Sequence, residues 1–105
     1  MSNKFEKREW EEIYRYHEFK RSDGNGWLIT GETIVSPTIT VTEKNSTIAI
    51  AGMIDNIEID GTQISYLVKG GTKNKDYILY IQITTSLGQK LEDVVEMSVV
   101  NSAPI

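Results

Sequence analysis

The sequence predicts an all-β fold, and three of its features carry that prediction. Between residues 65 and 100, two runs that alternate apolar and polar side chains lie on either side of a short turn. An Asp60-Gly61 step joins two further alternating runs. Segments rich in β-branched and aromatic residues recur every 8–14 residues or so, about the spacing of strands in a two-sheet fold. Counted along the chain, they make about seven antiparallel strands of an immunoglobulin-like β-sandwich.

The first segment, residues 4–21, supports two readings. Its composition favours helix by propensity, and Trp10, Ile13, Tyr14 and His17 would share a helical stripe. Tyr14 and Tyr16 also alternate with Ile13, Arg15 and His17, which suits a strand. The β-rich remainder favours a first strand near residues 12–19, with residues 1–11 open to being a flexible N-terminal extension. Residues 21–26, RSDGNG, read as a loop, and Trp27-Leu28 as a buried anchor where the chain re-enters the body.

Residues 32–42, ETIVSPTITVT, are dense in β-branched residues and read as a strand. Pro37 cannot donate to a ladder, so the strand should lie at an edge or bend there, with Ile39 and Val41 facing the core beyond it. A polar turn at 43–46 leads into a short apolar run at 47–51, ended by Gly52. Asp60-Gly61 then has the composition of a two-residue type I′ turn, in which both central residues take positive φ. Ile57 and Ile59 on one arm, and Ile64, Tyr66 and Val68 on the other, are expected to face the core.

Gly70-Gly71-Thr72 allows a sharp crossover between sheets. In the run that follows, Tyr77, Leu79, Ile81 and Ile83 share one face, and Tyr80, Gln82 and Thr84 the other. Tyr77 stands where immunoglobulin-like sandwiches place a tyrosine whose hydroxyl bonds back to main chain. Leu87-Gly88 supplies a tight turn into residues 89–100, where Val95, Met97 and Val99 oppose Glu96 and Ser98. Residues 101–105 form a patternless tail. With no repeat and no shift in composition, residues 1–105 read as a single domain.

Composition limits the chemistry. Without cysteine the chain has no disulfide, thiolate metal site or cysteine nucleophile, and packing alone must hold it. Eleven basic against fifteen acidic side chains, a net charge of −4, argue against nucleic-acid or anionic-membrane partners. Residues 1–10 lack the apolar core of a signal peptide, which places synthesis in a cytoplasm, and no apolar run is long enough for a membrane span. Asn45-Ser46-Thr47 matches a glycosylation sequon, which matters only in an exported chain.

Catalysis would need a base, a nucleophile or a metal site. His17 is the only histidine and reads as a partly exposed side chain of the N-terminal segment. Asp55, Glu58 and Asp60 read as a solvated acidic face rather than a glycosidase pair or an ion site. Asp23-Gly24-Asn25-Gly26 lacks the later ligands of a calcium loop. Gly70-Gly71-Thr72 precedes a strand where a phosphate cradle would precede a helix. Lys69, Lys73 and Lys75 make a small basic tip without the interleaved aromatics of a nucleic-acid surface. No catalytic residue, cofactor site or metal ligand set is predicted.

The order Trp27-Leu28, Gly31-Glu32-Thr33-Ile34-Val35-Ser36, Gly70-Gly71-Thr72, Tyr77, and Ile83-Thr84-Thr85-Ser86 with Gly88 resembles a family of small tailed-bacteriophage proteins. These are fibre–tail adaptors or virion structural proteins with an immunoglobulin-like sandwich. The likeness covers about residues 27–100. The sequence departs from that family in a longer, more charged N-terminal segment. Ile39 also stands where the family often has tryptophan, and lysines at 69, 73 and 75 replace a more neutral crossover.

The resemblance implies a non-enzymatic phage or prophage protein that docks other virion proteins in the tail or neck. Possible homo-oligomers and residence in the virion, after synthesis in the host cytoplasm, follow from the same likeness. Its expected contact residues are Trp10, Tyr14 and Tyr16 in the N-terminal segment and Lys69, Lys73 and Lys75 at the crossover; the same aromatics would serve equally as a first strand packed on its own core. The alternative function is a carbohydrate- or peptide-binding sandwich module, for which Tyr80 is the one outward aromatic that the pattern places. A small hydrolase is disfavoured for want of a nucleophile–base pair.

Overall fold

A computed structural model of the chain describes residues 3–19 and 31–100. Its elements are β1 (Asn3–Arg8), β2 (Ile13–Glu18), β3 (Ile34–Glu43), β4 (Ala49–Ile50), β5 (Ile54–Asp60), β6 (Gln63–Val68), β7 (Lys75–Thr85) and β8 (Lys90–Val100). The fold is all-β, with no helix among the described residues. Five strands form one sheet in the order β1-β8-β7-β3-β4, and three form another in the order β2-β6-β5. The loop at 21–26, the anchor Trp27-Leu28 and the tail at 101–105 lie outside the described residues.

The predicted β7–β8 pair is the spine of the larger sheet. Its register runs from Lys75↔Val99 to Thr84↔Lys90, closed by the four-residue loop 86–89, in which the Gly88 N–H donates to the Thr85 carbonyl at 3.0 Å. Tyr77, Leu79, Ile81 and Ile83 are buried as their alternation predicts, as are Val95, Met97 and Val99 across the ladder. From the smaller sheet, Ile64, Tyr66 and Val68 meet them in one hydrophobic core. Each such side chain contributes about 1.5–3 kcal/mol on burial. Val41 is buried and Ile39 packs against the core, also as expected. Pro37 pairs with Ile83, and β4 reaches only Val41 and Thr42, so the proline's other side faces no strand among the described residues.

The crossover from β6 to β7 carries the chain between sheets through Gly70-Gly71. The Tyr77 hydroxyl accepts a hydrogen bond from the Thr72 N–H at 2.8 Å, the back-bond to main chain expected of that tyrosine.

Residues 13–18 are a strand, as favoured over the helical alternative, because tertiary pairing with β6 overrides the helical propensity of the segment. Three local expectations are corrected. Residues 3–8 are an additional strand, paired parallel to β8 from Asn3↔Val95 to Arg8↔Val100; there are thus eight described strands, and one pairing is not antiparallel. Phe5 and Lys7 face inward from it. The Lys7 ammonium is satisfied by the carbonyls of Arg8 at 2.8 Å and Gly70 at 2.7 Å.

The β5–β6 turn is displaced by one residue from the expected one. Asp60 pairs with Gln63, leaving Gly61-Thr62 as the loop. Only Gly61 (φ 64°) has positive φ there, the demand of a type II′ turn rather than type I′. Finally, Ile57 and Ile59 are 37% and 42% exposed. They lie on β5, the edge of the smaller sheet, beside an irregularity between Asp55 and Glu58 where Asn56 takes φ 51°. Ile59 pairs with the fully buried Ile64, yet no strand among the described residues flanks the far edge of β5 in its own sheet.

Candidate interaction surface

The strand alternation of β2 splits its side chains between two environments. Arg15, His17 and the following Phe19 turn inward. The Arg15 guanidinium lies 4.0 Å from the centre of the Phe5 ring and beside Tyr66. Burial pushes the Tyr66 hydroxyl above its ordinary pKa, and Arg15 opposes the shift. His17, expected to be partly exposed, is instead buried, with Nε2 2.8 Å from an Asp93 carboxylate oxygen on β8. Burial lowers its pKa below the usual histidine value, while Asp93 pulls the other way. This pair bridges the two sheets and is structural.

The outward half of β2 presents Tyr14 and Tyr16, 56% and 65% exposed, and the preceding Trp10 is 91% exposed. Register extends these tyrosines into rows across the smaller sheet. Tyr14 lies beside Leu67 and then Asp55; Tyr16 beside Ser65 and then Glu58; Glu18 beside Gln63 and then Asp60. The Asn56 Nδ2 donates to the Tyr14 hydroxyl at 3.3 Å. A hollow of about 380 Å³ opens where Tyr16, Glu58, Ile59, Asp60, Gln63 and Ser65 converge.

Trp10 sits on the connection between β1 and β2, next to the β6–β7 crossover. A hollow of about 610 Å³ is lined by Glu9, Trp10, Glu12 and Gly70, and the Lys73 N–H donates to a Glu9 carboxylate oxygen at 3.0 Å. Trp10 and the crossover therefore meet. Of the three lysines at the crossover, Lys69 pairs with Asp55 at 3.3 Å and Lys75 with Glu43 at 3.0 Å. Those bonds lower the Asp55 pKa, through the Asn56 N–H first and Lys69 second, and raise that of Lys75.

Sequence reasoning placed Asp55, Glu58 and Asp60 on an exposed face, where they lie. It did not place Glu58 and Asp60 beside Tyr16, because that neighbourhood is set by the register of three strands distant in sequence. The outer face of the larger sheet differs in character. Two adjoining shallow hollows there, of about 310 and 320 Å³, are lined largely by hydroxyl side chains such as Ser36, Thr38, Thr40 and Thr84, with Tyr80, Gln82 and Glu92. No helix among the described residues is long and apolar enough to cross a membrane. The described residues hold no cluster of three or more histidine, aspartate or glutamate side chains placed to bind a metal.

A family model described as podophage GP4 fiber-tail adaptor protein gp77 matches residues 16–98. No individual curated protein matches the chain. The matched span runs from β2 almost to the end of β8 and so takes in both sheets and the crossover between them. The chain belongs to the podophage GP4 fiber-tail adaptor gp77 family and is a structural protein of the phage tail.

Proposed function

We propose that this protein acts without catalysis, joining other virion proteins in the tail or neck through an aromatic surface built on β2. The observation that carries the reading is the exposure of Trp10, Tyr14 and Tyr16 on a chain of an adaptor family. Large aromatics supply contact area with few rotors to immobilise, which suits an interface centre. Lys69, Lys73 and Lys75 would form the polar rim beside Trp10. The two-sheet body with its Tyr77 back-bond supports an immunoglobulin-like sandwich as the carrier of that surface.

A carbohydrate-binding role is less well supported. Tyr80 is half-buried in the outer face of the larger sheet, where a sugar ring would need an open aromatic plane. The test is mass spectrometry of purified phage particles, read for copy number. Several copies of this chain per particle are expected. Particles complete in their other tail proteins but lacking this chain would overturn the reading.

A further inference from the structure

We propose that the outer face of the three-stranded sheet docks an arginine-bearing segment of a partner protein, with the guanidinium seated among Tyr16, Glu58 and Asp60. The inference rests on the adaptor reading and names the chemistry of the partner. Glu58 and Asp60 are exposed, and no cation stands within ion-pair distance of either among the described residues. Asp55, one row away, already has Lys69. The hollow between these carboxylates and the Tyr16 ring is large enough for one side chain and its hydration.

Its chemistry selects the occupant. Carboxylates accept paired N–H donors from a planar guanidinium, and a phenol ring stacks against the same cation. Arginine satisfies both at once, whereas a lysine ammonium is a point charge without a stacking plane. Phosphate-bearing partners meet like charge on this face. A second copy docked face to face would bring Glu58 and Asp60 against their own kind.

The probe is a blocked hexapeptide of alternating arginine and serine, titrated into the ¹⁵N-labelled full chain and followed by amide chemical shifts. Lysine and glutamate versions serve as controls. Shifts should concentrate at Tyr14, Tyr16, Glu58, Asp60 and Ser65, with the arginine peptide binding more tightly than the lysine one. A Glu58→Gln, Asp60→Asn variant should bind it about tenfold more weakly. Equal response to arginine and lysine, or shifts spread over unrelated acidic positions such as Glu6 and Glu92, would overturn the proposal. So would concentration-dependent shifts of the same face without peptide, which would make the occupant a second copy. In particles, normal incorporation of the double variant would sink the docking proposal and leave the adaptor role standing. Absence of the wild-type chain from complete particles would sink the adaptor role itself.

Discussion

Tyr77 spends its hydroxyl on one bond, and that bond holds the crossover to the strand it feeds. The side chain is buried and the Thr72 N–H has that oxygen as its partner at 2.8 Å. Tyr77→Phe should lower stability by about 1 kcal/mol in thermal or urea denaturation; an unchanged midpoint would show that the bond contributes nothing. Gly71, in the same crossover, is constrained twice over. Its φ is +92°, and an added Cβ would lie 2.7 Å from Val99 Cγ2, which core packing holds in place. Gly71→Ala should therefore cost about 1–3 kcal/mol. Gly70→Ala is the control, because at φ +76° its Cβ would meet only the flexible Met53 at 3.7 Å and pay backbone strain alone. Equal losses in the two variants would deny Val99 its role. His17 makes stability depend on pH. Burial lowers its folded-state pKa, so between that value and the ordinary 6.5 the unfolded chain binds more protons than the folded one. Stability from this residue is thus complete above pH 6.5 or so and declines as the pH falls through that window. The advantage of wild type over His17→Gln should narrow between pH 7.5 and about 5.5. An advantage that widened on acidification would mean that Asp93, not burial, governs the histidine.

At the scale of elements, β1 does more than lengthen a sheet. It covers the outer edge of β8, places Phe5 under the Arg15 guanidinium, and brings the Lys7 ammonium to the crossover carbonyl of Gly70. Removing residues 1–8 exposes the β8 edge as a template for pairing and deprives Arg15 of its ring. Loss of Phe5 burial alone is worth about 1.5–3 kcal/mol. The truncated chain should melt lower and associate with rising concentration in size-exclusion chromatography with light scattering; a monomer of unchanged stability would deny β1 this part. The reason β1 was hidden in the sequence is physical. Of its inward residues only Phe5 is apolar, and Lys7 is inside because its charge is met by carbonyls, which no hydrophobic pattern reports. By contrast β7 and β8 were legible because each buries an unbroken alternate set. The Asp60-Gly61 signal found the right hairpin but not its register. Alternation alone then assigned Ile57 and Ile59 to the core, although an irregular edge strand leaves them in solvent.

Over the whole molecule, the two outward sheet faces have diverged. One is a hydroxyl-lined face around Tyr80; the other combines exposed tyrosines with carboxylates. The aromatic half of that surface was legible, since Tyr14 and Tyr16 alternate away from an inward set. Its acidic half was not, since Glu58 reaches Tyr16 only by way of Ser65 on a third strand. The same geometry separates a contact role from a folding role. Side chains that stand mostly in water give the core little, so replacing Trp10 with serine and Tyr14 and Tyr16 with threonine removes contact area while threonine keeps the β-propensity of the strand. The triple variant should retain its stability to within about 0.5 kcal/mol, the usual range of surface substitutions. Its incorporation into particles, measured in competition with wild type, should fall sharply. If stability drops by several times that amount, the three aromatics belong to the fold. If stability and incorporation are both unchanged, the chain meets its neighbours through another face.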